Sequence, residues 1–272
     1  MSTAVVDSPI AASSPEPAST ATANAVFVGR SIRRFLRRPD SVVFTVAFPL
    51  LLLLTMLAVF SSAVEAFEDA DYAQRLVPGL TVSGVLFGSL GTAVGFWSDL
   101  DTGFMDRVRS LPVSPAAPLV GTVLAEAVRA LMAVVALAAA GYAFGFRFEA
   151  GVGRAIGYFV AAMIGAMAFT WIGLYVATIA TSQESLSPPL NAFFLVLLFF
   201  SEGLVPLDAY PGWAQPFVEA NPATAFVTLL DRLARGGDLG RPILNAALWS
   251  IAIVAVFGTL AVRRLAVGRS AG

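Results

Sequence analysis

The amino-acid sequence predicts an all-α membrane protein with six transmembrane helices and both termini in the cytosol, and three observations carry that prediction. Of the 272 residues, 57% are hydrophobic and only 13% charged, where charged residues make up about a quarter of an ordinary soluble domain. Six stretches are apolar over the roughly 20 residues that a helix needs to cross a bilayer: 41–63, 76–97, 119–146, 155–181, 188–207 and 243–262. Arginine, finally, is sorted. Five arginines precede the first stretch, two lie between the second and third, and three follow the last, which makes ten on one side against six on the other. The opposite side carries Glu65, Glu68, Asp69 and Asp71 in its first loop. Because cytosolic loops hold the excess of basic residues, this sorting places both termini and the segment between the second and third spans in the cytosol.

Residues 1–23 hold Ala, Ser, Thr and Pro with two acids and no base, too little apolar surface to order a chain, and a disordered tail is expected. Over 24–40 the pattern is that of an amphipathic helix. Val28, Ile32 and Phe35 share one stripe, Arg30, Arg33, Arg34 and Arg37 occupy the others, and Pro39 stops it. Such a helix suits the headgroup plane, with its arginines toward anionic lipid. Residues 41–262 form one membrane domain and 263–272 a cytosolic tail.

The second span carries Gly84, Gly88, Gly91 and Gly95 on one stripe, a surface for close helix packing against this chain or a partner protomer. Trp97 to Leu119 follows as a polar handle. Phe104, Val108 and Leu111 recur at i, i+4 and i+7 in it, so a short helix from Gly103 presents one apolar stripe with Asp106, Arg107 and Arg109 elsewhere. Pro112 ends that helix, and Ser114-Pro115 offers an N-cap and first-turn proline for the next.

In the third span Glu126 and Arg129 stand three apart, spaced to neutralise one another near lipid. The fifth span, beginning behind Pro188-Pro189 and rich in phenylalanine, breaks at Ser201, Glu202, Gly203 and Pro206. Interrupted helices at membrane depth belong against protein or a cavity, whereas a plain helix end at the surface explains the same residues. The loop after it contains a complete helix signal: Asn221 as N-cap, Pro222 at the first position, Phe226, Leu229, Leu230 and Leu233 on one face, and Gly236-Gly237 at the end.

Absent residue types exclude much chemistry. The chain has no His and no Cys, and its seventeen basic residues are all arginine. Without lysine there is no phosphate-cradling Gly-rich loop ending in Lys-Ser/Thr, so this chain is not expected to bind ATP itself. Zinc sites, His-based triads, Ser-Lys dyads and Schiff bases are missing their residues. No metal site, no enzyme activity and no nucleic-acid partner are expected.

Taken in order, these parts resemble the ABC-2 family of ABC exporter permeases, and most closely the drug-resistance type found beside daunorubicin and doxorubicin export ATPases. The resemblance covers nearly all of residues 24–262. It rests on Arg37-Arg38-Pro39-Asp40, on Gly103 to Ser114, and on Gly203, Pro206, Pro211, Trp213, Asn221-Pro222 and Arg232 in their spacing around six spans. Family sequences often carry glutamate where Asp99 or Asp101 stands here. The resemblance implies a plasma (inner) membrane protein of a bacterium. It implies dimerisation with a second copy or a sister permease, and a separate cytosolic ABC ATPase that binds ATP and Mg. The handle would be the coupling helix, carried by Asp101, Gly103, Phe104, Arg107, Val108, Arg109, Leu111 and Pro112. The helix of Arg30, Arg33, Arg34 and Arg37 would be the connecting helix, and the fifth-span break a re-entrant segment below an external lid helix. Export of an amphiphilic or hydrophobic small molecule by alternating access is the expected function, with Phe87, Phe193, Leu197 and Phe200 as an apolar substrate path. An ion-coupled secondary transporter, a non-transporting scaffold subunit and, last, a membrane-embedded hydrolase are the other readings.

Overall fold

The second predicted span is one unbroken helix that carries Pro78 within it. The computed structural model describes residues 20–37, 47, 49–56, 58, 72–109, 114, 116–203 and 205–267. The tail over 1–19 and most of the predicted first span therefore lie outside the described residues, which within 47–58 are helical. In chain order the helices are α1 (Thr20–Leu36), α2 (Tyr72–Asp101), α3 (Phe104–Arg109), α4 (Ala117–Ala143), α5 (Val152–Ile179) and α6 (Gln183–Phe199). After a 3-10 turn at Leu207–Ala209 come α7 (Gln215–Glu219), α8 (Pro222–Arg235) and α9 (Gly240–Ile253), the last running through a π-helical turn, Val254–Gly258, into α10 (Thr259–Val267). All regular structure among the described residues is helical.

Among the described residues, four helices are long and apolar enough to cross a membrane: Ala73–Asp101, Ala117–Ala143, Val152–Ile179 and Gly240–Ala266. The centre is α5, which packs on α2, α4 and α8. Small residues let it come close. A Cβ on Gly173 would stand 2.9 Å from that of Ala93, and one on Gly165 3.0 Å from the Phe226 ring, the close approach that substitutes for hydrophobic drive between helices in lipid. The hydroxyls buried in this contact are paired, Ser89 with Thr170 at 3.2 Å and Thr81 with Tyr158 at 2.7 Å, as groups without access to water require.

Four boundaries differ from the sequence expectation, each for a local reason. The amphipathic helix begins at Thr20 rather than Asn24, since nothing in Thr-Ala-Thr-Ala opposes helix. The second span does not end at Trp97: α2 continues to Asp101, so the first residues of the handle belong to the span. Ser114 does not cap the next helix. Its Oγ accepts from Ala116 N at 3.3 Å, but α4 starts at Ala117 with Ala116 as N-cap, and Pro118 takes the first-turn place expected of Pro115. The fifth span does not start behind its prolines. It starts at Gln183, where Ser182 Oγ accepts from Ser185 N at 3.1 Å and Ser185 Oγ accepts from Ser182 N at 3.0 Å, a reciprocal cap strong enough to carry the helix through Pro188 and Pro189. That helix ends at Phe199 after 17 residues, a length of about 26 Å, short of a hydrocarbon core of about 30 Å.

Past α6 the chain folds back. Asn221 accepts from Ala223 N at 2.8 Å to cap α8, and its amide donates to Leu197 O at 2.8 Å and Phe200 O at 2.5 Å, tying the end of one helix to the start of another. Tyr210 Oη donates to Phe199 O at 2.7 Å and Ser201 O at 2.9 Å; burial, and then the nearby Glu202, hold its phenol above the ordinary pKa. Gly203 lies against the backbone of Gly79, where a Cβ would overlap the Gly203 carbonyl. The helix expected after Asn221 runs Pro222–Arg235 and stops at Gly236, whose φ of 110° needs a residue without Cβ. Its Phe226, Leu229, Leu230 and Leu233 are buried in the core.

Candidate functional site: a cavity between α1, α2 and α4

The four glycines of α2 form close contacts at Gly84 and Gly88 and a hollow at Gly91 and Gly95 inside this chain. A cavity of about 510 Å³ is lined by Gly84, Gly88, Gly91 and Gly95, by Phe87 and Phe96 between them, and by α1 and α4 on either side. Cβ atoms built on Gly91 and Gly95 would meet nothing within 4 Å, whereas one on Gly84 would touch Pro49 at 3.5 Å and one on Gly88 would stand 2.8 Å from Glu126 Oε1. Towards one end the lining is Leu80, Val85, Val134 and Leu137; towards the handle it is charged.

Two charged clusters form that end. Asp99, on the last turn of α2, takes Arg30 in a two-pronged contact, Nη1 to Oδ2 and Nη2 to Oδ1, both at 3.0 Å, and Arg34 Nη1 to Oδ1 at 2.6 Å. The same Arg30 guanidinium lies 3.7 Å over the Phe104 ring. One residue thus joins α1, α2 and α3. The second cluster is deeper. Arg129 Nη2 reaches Glu126 Oε2 at 2.8 Å and Thr92 Oγ1 at 2.7 Å, and Thr92 Oγ1 donates to Glu126 Oε2 in turn. The Arg129 guanidinium faces the Phe35 ring at 5.5 Å, and its Nε is buried without a hydrogen-bond partner. A carboxylate whose side chain is 3% exposed is tolerable only because it is paired in this way.

The arrangement of α1 departs from the expected headgroup-plane helix. Phe27 faces Gly121 and Phe35 faces Arg129, an eight-residue advance on both helices, so α1 runs alongside α4 in the same direction. Arg30 and Arg34 turn inward to Asp99 instead of outward to lipid, and Arg33 and Arg37 stay exposed. The physical reason is Asp99, a carboxylate at the end of an apolar helix that gains two charge-assisted partners.

The handle helix forms over Phe104–Arg109, entered by a turn at Gly103 whose φ is 69°. Of its expected apolar stripe, Val108 is buried and Phe104 half-buried beneath Arg30, with Met105 buried beside them. Asp101, Thr102 and Arg107 are the exposed ones. Phe104 and Val108 therefore hold the helix against this chain, while Asp101, Thr102 and Arg107 face outward. The side chain of Arg109, together with Leu111 and Pro112, lies outside the described residues.

The four positions expected to form a substrate path are not brought together. Phe87 lines the cavity, whereas Phe193, Leu197 and Phe200 belong to α6 and the break after it, away from its wall. Sequence reasoning missed Asp99 and Thr92 as cavity residues, although both continue the glycine stripe at a spacing of four, Gly88-Thr92 and Gly95-Asp99.

A family model described as ABC-2 type transporter matches residues 22–231, about three quarters of the chain. The chain belongs to the ABC-2 type transporter family. It is a multi-pass membrane permease. Among its relatives, "Daunorubicin resistance ABC transporter permease protein DrrB1" of Streptomyces coeruleorubidus is 29% identical over 253 residues, covering 92% of this chain and 88% of the relative. "Probable doxorubicin resistance ABC transporter permease protein DrrC" of Mycobacterium tuberculosis is 27% identical over 236 residues, with 84% and 82% covered.

Proposed function

We propose that this chain is the permease subunit of an ATP-driven exporter that moves an amphiphilic or hydrophobic small molecule outward by alternating access, in the plasma membrane of a bacterium. Six spans, cytosolic termini and a cytosolic handle complete the topology, which the sorting of arginine supports. ATP and Mg act on a separate ATPase subunit. A second copy of this chain or a sister permease completes the path. The observation that carries the proposal is the joint made by Arg30, which grips Asp99 through two nitrogens at 3.0 Å and covers Phe104 at 3.7 Å.

That joint makes α2 a lever. A push on the polar side of the handle reaches Asp99 through Arg30, and α2 carries it along its length. From Asp99 to Gly79 the helix spans about 30 Å, and at its far end Gly79 bears on Gly203 of the folded-back segment. The cavity lies along the same helix, so tilting α2 reshapes the cavity and the outer contact together. In this mechanism α8 serves as the external lid, and the break before it as the re-entrant segment.

The test is transport of doxorubicin into inverted vesicles that hold this chain and its partner ATPase. Uptake that requires ATP and falls at least tenfold with Arg30→Gln supports the reading. Uptake driven by a proton or sodium gradient without ATP would overturn it in favour of an ion-coupled transporter. Absence of any uptake with an intact complex would leave a scaffold subunit.

A further inference from the structure

The cavity is polarised along its length, and the polarity identifies what fits it. Its lining extends on α2 from Leu80 to Asp99 and on α4 from Thr122 to Leu137, about 28 Å and 22 Å at 1.5 Å per residue. It is an elongated slot, and its volume of about 510 Å³ is within the range of sites that enclose one drug-sized molecule. The end near Leu80, Val85, Val134 and Leu137 is apolar apart from Thr81, whose hydroxyl is already paired with Tyr158.

The handle end carries Arg30 and Arg34 against Asp99, and midway along the slot, beside Gly88 and Thr92, Arg129 stands against Glu126, three guanidinium groups to two carboxylates in all. Both carboxylates are already engaged. Asp99 accepts from both α1 arginines, and Glu126 Oε2 accepts from Arg129 and Thr92. Glu126 Oε1, beside Gly88, is the one carboxylate oxygen turned to the slot without a hydrogen bond described, and its charge is balanced by Arg129. The excess is positive, one buried donor, Arg129 Nε, has no acceptor, and the side chains of Arg30 and Arg34 are about a third exposed at the mouth. An amine would meet arginines here; an anion would be met by donors.

We infer that the slot between α1, α2 and α4 binds an anionic amphiphile drawn from the membrane, its headgroup at Arg30 and Arg34 and its apolar body passing Gly95 and Gly91 towards Val85, Val134 and Leu137. The inference deepens the exporter reading and rests on it for treating the bound molecule as cargo. The ligand belongs to the membrane because the slot joins a charged mouth to an apolar floor along a membrane-crossing helix.

The experiment uses the full-length chain in phosphatidylcholine nanodiscs and radiolabelled palmitoyl lysophosphatidate as probe, with lysophosphatidylcholine, inorganic phosphate and doxorubicin as competitors. Saturable binding is expected, at least tenfold tighter than that of lysophosphatidylcholine. Gly91→Leu should weaken it at least tenfold, because its side chain enters open space in the slot and leaves the packing intact. Arg34→Gln, which leaves the Arg30 pair in place, should weaken it about threefold or more. Equal binding of the two lysolipids, indifference to both variants, full displacement by phosphate alone, or tighter binding of doxorubicin would each overturn the inference. A parallel ATP-driven doxorubicin assay with the partner ATPase keeps the two readings apart. Drug transport without lysophosphatidate binding removes the slot's anion preference and leaves the exporter; lysophosphatidate binding without any ATP-driven movement leaves the site and removes the exporter.

Discussion

Replacing Arg129 by methionine should destabilise this protein more than removing the whole ion pair. Glu126 is buried on α4, and its Oε2 holds Arg129 Nη2 at 2.8 Å. With methionine at 129 the carboxylate keeps only Thr92, and breaking a buried pair from one side costs about 3–5 kcal/mol. The contact of Arg129 with Phe35 at 5.5 Å is lost as well, about 0.5–1 kcal/mol. The double variant Glu126→Gln/Arg129→Met leaves no charge behind, and glutamine still accepts from Thr92, so its cost should be about 1–2 kcal/mol. Arg129→Met is then worse than the double variant by about 1.5–5 kcal/mol, and the cycle with Glu126→Gln measures the coupling. At about 2–4 °C per kcal/mol for a chain of this size, Arg129→Met should melt roughly 7–24 °C below the parent and the double variant roughly 2–8 °C below. Size-exclusion thermostability in detergent measures both, with Glu126→Gln alone as the fourth corner. A single variant that melts with the parent, or a double variant less stable than Arg129→Met, would show that leaving the buried Glu126 unpaired is not what costs stability and would refute the reasoning.

Other consequences follow from single contacts. Because the chain has no cysteine, Phe27→Cys/Gly121→Cys should cross-link spontaneously if α1 lies along α4. Adding Asp99→Asn should lower the cross-linking rate several-fold by freeing Arg30 and Arg34; an unchanged rate would show that Asp99 does not hold α1. Gly79→Ala should abolish ATP-driven drug uptake and lower the melting temperature, since its methyl group would overlap the Gly203 carbonyl, whereas Gly95→Ala should melt within about 2 °C of the parent. Asn221→Ala should cost about 2–3 kcal/mol, one cap plus two buried carbonyls left without a donor, read as a melting shift that Asn221→Asp only partly avoids.

How much of this was legible can be argued from particular residues. The helix after the folded-back segment was readable to the residue, because Asn221, Pro222 and Gly236 act within one turn of themselves and a local cap needs no tertiary partner. The handle helix was readable for the same reason, in the spacing of Phe104 and Val108, but which surface the stripe would meet was not. Prolines 188 and 189 misled because their local penalty was outweighed by a reciprocal Ser182–Ser185 cap. Glu126 and Arg129 could be paired from spacing alone, whereas Thr92 enters only because α2 and α4 lie side by side.

The sequence by itself determined that this is a helical membrane protein without lysine, histidine or cysteine, since hydropathy and residue identity are properties of the chain before it folds. Tertiary structure alone decided that the glycines line a cavity, that Arg30 and Arg34 turn to Asp99, and that the handle's apolar stripe packs inward. Each of these depends on which helix stands opposite. A glycine stripe is the same in a seam and in a hollow, and an arginine on an amphipathic helix takes whichever anion is nearer, a lipid headgroup or, here, a carboxylate on the last turn of α2.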